Sequence, residues 1–391
     1  MADCSLRAWP LQSERRWSQF DRRPSSKRPR VFHCCIIVHI RAPSDLALSQ
    51  RQAANQCART VCGGSVLGYT SKTSWQRCDY MSGLPIHHGR YDAFTRQAAS
   101  LPPLKTAVVH PCSPETLGSA VDLNLQGVLD TVLVGPEEKI RAVAEAAGIS
   151  LLGMTIDPVE HSHAAADRAV ELASTGRVKA LMKGSLHSDE LLSAVVGPSS
   201  RLKTERRVSH VYLMDIPAYD RLLAVTDAAI TIQPDLDQKR DICQNAIDFM
   251  RLLGVDTPKV AVLAAVETVN SRMQATLDAA ALTVMSARGQ ITGALVDGPL
   301  AFDNAISAEA ARAKRIVSPV AGHADILLVP DIEAGNILAK QLIYFAGADA
   351  AGLVLGARVP IILTSRADSA KARTASAALA KLVAAGSKTE A

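Results

Sequence analysis

The sequence predicts a three-layer α/β protein: a mostly parallel sheet arranged in two lobes with a cleft between them. Three observations predict it. From residue 104 onward, short apolar runs alternate with helical stretches, the pattern of βαβ units. Near the middle, two strand-like runs follow one another without a helix, which divides the pattern in two. Polar residues gather directly after the apolar runs, and open α/β sheets bind ligands at strand C-termini.

In order, "KTAVVH" (105–110) precedes a helix over 114–126, and "LDTVLVG" (129–135) precedes one over 137–147. "LLGMTI" (151–156) leads to a helix over 162–175, and "VKALMKG" (178–184) to one over 188–196. The successive runs are "RVSHVYLMDI" (207–216) and "DAAITIQ" (227–233); an apolar helix, "AIDFMRLLGV" (246–255), follows. "KVAVLAAV" (259–266), a helix over 271–287, "ITGALVD" (291–297) and a helix over 305–313 resume the alternation. "ADILLVPD" (324–331), a helix over 335–345, "AGLVLGA" (351–357) and a strand over 361–364 complete it.

Residues 1–80 are of a different kind and are assigned no fold. They show no sustained helical or strand period. The formal charge of +5 is unevenly spread: residues 1–100 carry 15 Lys+Arg against 6 Asp+Glu, so the remainder carries 28 against 32. The body is therefore mildly acidic and gives no sign of nucleic-acid binding. Six of the eight cysteines and all three tryptophans precede residue 80. The expectation is an unstructured or mis-assigned leader, with the working domain over 81–391 starting at or near Met81. His87 and His88 are adjacent and read as surface residues. Only Cys112 and Cys243 remain in the body, which suits a reducing cytoplasm and no disulfide framework. The run "VFHCCIIVHI" (31–40) is far shorter than the ~20 apolar residues of a membrane span.

The G-x-G-x-x-G, G-x-x-x-x-G-K-[ST] and G-x-S-x-G patterns are absent, which disfavours dinucleotide binding of the Rossmann type, P-loop chemistry and a nucleophile elbow. His161 and His163 are two apart and make a poor metal pair. The polar residues after strands are Lys183, Gly184 and Ser185; Asp303 and Asn304; and Asp331, Gly335 and Asn336, with Ser318 and Gly322 in the turn before the last of these strands. Arg206 and Arg207 lie in the basic loop 201–207. Plain roles exist for each: a helix cap for Asp331, a turn for Gly335–Asn336, a solvated face for 201–207. Convergence on one sheet edge is what favours a site. "IILTSRADSAKAR" (361–373) adds the sharpest signal. Ser365 and Asp368 have capping-box spacing. Arg366 at a helix N-terminus opposes the helix dipole, a conflict that a bound anion removes. A cap and a phosphate site both fit.

The segments "LMKGSLHSDELL", "RRVSHVYLMDIP", "GQITGALVDGPLAFDNAIS", "SPVAGHADILLVPDIEAGNILAKQL" and "VPIILTSRADS" closely resemble the phosphate acetyltransferase and phosphate butyryltransferase family over residues 100–391. The nearest likeness is to the transferase half of chains that fuse an enoyl-CoA hydratase to a phosphate acetyltransferase; residues 1–100 resemble no hydratase. The resemblance implies the fold of isocitrate and isopropylmalate dehydrogenases, and reversible transfer of a short acyl group between CoA and inorganic phosphate. Acetyl is the first choice and butyryl the second. It implies no metal or cofactor, with CoA as substrate, and a homodimer in the cytoplasm without nucleic-acid or membrane partners. It implies that Arg366 holds phosphate, Ser365 hydrogen-bonds the reacting carbonyl and Asp368 is the base for the CoA thiol. In simpler acetyltransferases the base stands two turns later, near Ala372. Glycine turns at 184 and 322 are expected to present N–H donors, and the run 201–207 to meet the phosphates of CoA. Two other readings are a non-catalytic acyl-CoA-sensing domain and a metal-dependent decarboxylating dehydrogenase.

Overall fold

The computed structural model describes residues 89–364 and 368–386. They build one eleven-stranded sheet with helices on both faces. Strands β1 (Leu104–Val109), β2 (Leu129–Gly135), β3 (Thr155–Pro158) and β4 (Ala180–Lys183) come first, then β5 (Ser209–Asp215) and β6 (Leu223–Thr226). They are followed by β7 (Lys259–Leu263), β8 (Leu295–Leu300), β9 (Ile326–Leu328), β10 (Asp349–Leu355) and β11 (Ile361–Ile362). The spatial order is β3-β2-β1-β4-β11-β10-β5-β6-β9-β7-β8.

Most pairings are parallel, but the three at the centre, β11–β10, β10–β5 and β5–β6, are antiparallel. Two parallel blocks therefore run in opposite directions. One holds β3, β2, β1, β4 and β11; the other holds β6, β9, β7 and β8. Each block ends at the sheet centre in one reversed strand, β10 for the first and β5 for the second.

The helices are α1 (Tyr91–Ala99), α2 (Pro114–Leu125), α3 (Glu137–Ala147), α4 (Ser162–Ser174), α5 (Ser188–Val196) and α6 (Leu236–Leu252). Then come α7 (Gln274–Ala287), α8 (Phe302–Ile306), α9 (Ala308–Ala313), α10 (Ile332–Tyr344) and α11 (Ala370–Gly386). Side chains alternate across strands, so Val108 joins the core under α2 and α11 while Ala107 and Val109 join the core under α4 and α5. The first face is one continuous core. The second is two patches, one under α4–α5 and one under α8–α10. At the centre of this second face β5 and β10 carry His210, Tyr212 and Gly352.

Local chemistry sets the helix ends. Ser113 caps α2 ahead of Pro114, Asp235 caps α6, and Gly148 closes α3 in the left-handed region. His161 is the N-cap of α4: its Nδ1 accepts the Ala164 N–H at 3.1 Å. Helix α1 is held by Asp215, which accepts from Arg90 N at 2.9 Å and pairs with the Arg90 guanidinium at 2.5 Å.

The run 227–233 is not a strand. β6 lies four residues earlier, and the carboxylate of Asp227 ends it by accepting the N–H groups of Ala229, Ile230 and Thr231 at 3.0, 3.0 and 3.2 Å. The alternation that imitates a strand leaves Ile232 71% exposed. The helix expected over 305–313 is two helices, divided at Ser307, which caps the second.

Lys239 of α6 and Asp278 of α7 form a buried pair at 2.6 Å, their side chains 6% and 8% exposed. Asp278→Ala strands the ammonium in the interior and is expected to cost ~3–5 kcal/mol. Lys239→Met with Asp278→Leu is expected to recover most of it. Urea unfolding of the two variants checks both; equal losses would mean that packing, not the unpaired charge, sets the cost.

Candidate functional site

The first block opens at the edge where β1, β4 and β11 end. Gly184, just past β4, runs against the end of β1: a Cβ there would lie 2.2 Å from the Val109 carbonyl oxygen, so no other residue fits. Its N–H donates to that oxygen at 2.9 Å, and Ser185 N–H donates to His110 O at 2.8 Å. His110 holds the left-handed region at φ 54°, with Nδ1 3.2 Å from Ser185 O. Ser185 Oγ lies 2.9 Å from Thr116 Oγ1 in the first turn of α2. Lys183, Gly184, Thr116, Thr364 and Arg373 line one narrow crevice. Two chain ends, β4 and β11, thus meet the start of α2 and the side of α11.

Ser365 and Arg366 lie outside the described residues. Asp368 stands half-buried just before α11. Its charge is felt at Tyr212 of β5, whose phenol is pushed up to about 12, first by burial and then by Asp368.

The other expected residues do not join this edge. Because β6–β9 run against the first block, their C-termini open at the opposite edge. Asp303 and Asn304 stand there beside Glu267 and Lys314. Lys314 Nζ is 3.1 Å from Glu267 and 3.5 Å from Asp303, and the buried Asn304 reaches Glu267 with Nδ2 at 3.4 Å. Asp331 caps α10, accepting from Ala334 N at 2.8 Å. Asn336 Nδ2 donates to Ala228 O at 3.2 Å, and Gly335 packs against Val329 and Asp227. Ser318 Oγ accepts from Val320 and Ala321 N–H at 3.0 and 3.1 Å.

Convergence on one sheet edge is therefore corrected, and the reversal at the sheet centre is the reason. Gly184 and Gly322 do not offer free N–H donors either: Gly322 donates to Asn304 O at 2.7 Å. Its φ of 81° and a would-be Cβ 2.5 Å from Ala308 Cα explain the residue. Arg206 and Arg207 sit before β5, at the end of the strands away from Asp368. Arg206 pairs with Asp248 at 2.5 Å, and Arg207 N–H donates to Asp241 at 3.2 Å. A groove of about 420 Å³ opens beside Arg206, but Glu205 and Asp248 also line it, a poor match for polyphosphate.

Sequence reasoning missed His110, Thr116, Tyr212 and Arg373. Thr116 reads as an ordinary first-turn residue, and no spacing links it to Ser185, which is 69 positions away. Arg373 reads as a solvated helical cation.

The model of the family described as "Phosphate acetyl/butaryl transferase" matches residues 153–381. The chain is 54% identical over 301 residues to a phosphate acetyltransferase of Rhizobium meliloti, covering 77% of this chain and 95% of that protein. It is 39% identical to a phosphate butyryltransferase of Clostridium beijerinckii, covering 76% of this chain and 99% of that one. A crystal structure of a branched-chain phosphotransacylase from Enterococcus faecalis V583 superposes with a TM-score of 0.62 at 30% identity, covering 71% of this chain and 99% of that one.

His210 of β5 is buried and its imidazole is brought down to about 3 from 6.5, because burial disfavours the cation. The unfolded chain takes up that proton as pH falls below about 6.5, while the folded chain does not until about 3. Stability from the neutral ring is thus present above 6.5 and lost as pH falls toward 3, at ~1.4 kcal/mol per pH unit. Between pH 6.5 and 5.0 the wild type is expected to lose ~2 kcal/mol more than His210→Phe. Parallel melting-temperature profiles for the two proteins would contradict this.

Proposed function

The chain belongs to the phosphate acetyl/butaryl transferase family, and on that premise we propose that it is a phosphate acyltransferase working at the β4–β11 edge. The reaction is acyl-CoA + phosphate ⇌ acyl phosphate + CoA, with acetyl the first choice of acyl group and butyryl the second. The observation that supports this placement is the meeting of Lys183, Thr116, Thr364 and Arg373 in one crevice, with Asp368 at the start of the adjoining helix.

In the acyl-phosphate direction of attack, a thiol with pKa near ~8.5 is mostly protonated at neutral pH. Asp368 takes its proton as sulfur attacks the carbonyl carbon. Ser365 donates to the carbonyl oxygen as negative charge grows there, and such preorganised donors contribute about 10²–10³ in rate. The C–O bond to phosphate breaks and Arg366 holds the departing phosphate through its two-pronged guanidinium. Lys183 and Arg373 add positive charge to the same edge. Ser365, Arg366 and Asp368 follow β11 in the sequence, so one short stretch of chain supplies the donor, the cation and the base.

Finer points rest on the family likeness. The two opposed blocks of the sheet correspond to two lobes, as in isocitrate and isopropylmalate dehydrogenases. The acyltransferase domain begins near Met81. The chain pairs as a homodimer in the cytoplasm and uses no metal or cofactor beyond its CoA substrate; a monomer by light scattering at micromolar concentration would count against the pairing. Among the described residues no helix is long and apolar enough to cross a membrane.

The test is the initial rate of phosphate-dependent CoA release from acetyl-, propionyl- and butyryl-CoA. Turnover with at least one is expected, whereas CoA binding without turnover would favour a sensing domain. Arg366→Lys keeps the charge but loses the fork, and is expected to lower turnover at least tenfold. Asp368→Asn keeps a cap but cannot take a proton, and is expected to lose roughly 10²–10⁴ in turnover. A rate within about threefold of wild type would leave Asp368 as a cap.

A further inference from the structure

The two strands that end at the candidate site begin at a second cluster of cations. A groove of about 290 Å³ opens where β4 and β11 start, and Lys179, Arg201 and Arg358 line it. No carboxylate lines it. Among the described residues, none of these three side chains forms an ion pair. By contrast Arg90, Arg141, Arg168, Arg206 and Arg240 each hold an aspartate or a glutamate.

Backbone bonds fix the rim of the groove. Arg358 N–H donates to Leu202 O at 2.9 Å, and Lys203 forms an antiparallel bridge with Ala357. Lys179 N–H donates to Lys105 O at 2.7 Å, and Leu181 N–H donates to Pro360 O at 3.1 Å. Each cation is exposed and stands next to a buried apolar residue: Val178 beside Lys179, Leu202 beside Arg201, Val359 beside Arg358. Those three neighbours enter the core under α4 and α5, so the cations stay at the surface. Three separate segments thus hold three like charges around one space.

Gathering like charges costs free energy. Ala173 and Ser174, in the last turn of α4, also line the groove. A helix C-terminus supplies only roughly half a negative charge, so it leaves three cations far from neutral. A cleft of one sign concentrates counter-ions. Two arginine forks match the oxygens of phosphate groups. The volume is at the small end for a ligand cavity, which suits a diphosphate group and not a nucleic-acid strand.

We propose that this groove binds a small polyphosphate anion, either inorganic pyrophosphate or the diphosphate of a nucleotide. It is separate from the candidate catalytic crevice. Lys179 and Lys183 stand at opposite ends of β4, about 13 Å apart along the strand, too far for one diphosphate to reach both. The proposal does not depend on the acyltransferase reading.

Calorimetric titration of the full-length protein with pyrophosphate at low salt tests it. Arg201→Gln with Arg358→Gln removes two of the three cations. Both side chains are exposed, so the fold is expected to persist. Arg272→Gln with Arg288→Gln makes the same change of net charge at exposed positions on either side of α7. Lys183→Gln with Arg373→Gln strips cations from the catalytic crevice. A binding component is expected that the groove pair weakens at least tenfold and that each of the other pairs changes less than threefold. Equal weakening by the Arg272 and Arg288 pair overturns the proposal, because net charge alone would then attract the anion. Loss only in the Lys183 and Arg373 pair overturns it as well, since the anion would be at the catalytic crevice. So does absence of binding to the wild type at millimolar pyrophosphate. Titration with ADP separates the two sources: tighter binding than pyrophosphate, equally dependent on Arg201 and Arg358, assigns the groove to a nucleotide, and weaker binding assigns it to the inorganic anion.

Discussion

The antiparallel pairing of β5 with β10 governs the rest of this structure. Outside the three antiparallel pairings at the centre the strands are parallel, and within each parallel block the C-termini open on one side. Inserting two reversed strands at the centre turns the second block around, so the two blocks present their C-termini to opposite edges. Seven aligned residue pairs, from Asp349↔Asp215 to Leu355↔Ser209, hold that junction. The same reversal divides the helices of one face into the α4–α5 patch and the α8–α10 patch. It leaves His210, Tyr212 and Gly352 on the strands between them.

Polar groups at the two edges consequently have different work. At the first edge, close backbone approach at Gly184 brings the β4 turn against β1, and Ser185 is tied to Thr116. Side chains of four separate elements then surround the exit of β11. At the second edge, Asp331, Asn336 and Gly335 are committed to caps and close packing, and Ser318 is committed to the turn before β9. Their hydrogen bonds hold α10 and the turn before β9 in place. A long, ordered motif in the sequence can therefore mark a fold requirement as readily as a site.

Much of the fold was legible because local chemistry punctuates it. The strand 129–135 and the helices 137–147 and 188–196 lie where the pattern places them, the first two divided by Pro136 and the α3 helix closed by Gly148. The run 227–233 misled because Ala, Ile and Thr alternate there as in a strand, while Asp227 gathers the following N–H groups into a turn. The mostly parallel sheet was legible in the βαβ alternation, but the reversal at its centre was not. It depends on whether a helix-free link becomes a hairpin, which non-local pairing decides. For the same reason the sequence could place Lys183–Ser185 and residues 365–368 after strands but could not say which strand ends share an edge. His110, Thr116 and Arg373 come to the site from separate elements, and no spacing in the chain announces them.

The central claim is that the acyl transfer takes place where β4 and β11 end, not at the β7–β8 edge. A crystal structure of the protein with CoA and inorganic phosphate tests it most directly. The account predicts the CoA sulfur and the phosphate beside Asp368, Thr364 and Lys183, with the sulfur within hydrogen-bond reach of the Asp368 carboxylate. Sulfur and phosphate bound instead beside Glu267, Asn304 and Lys314 would contradict it.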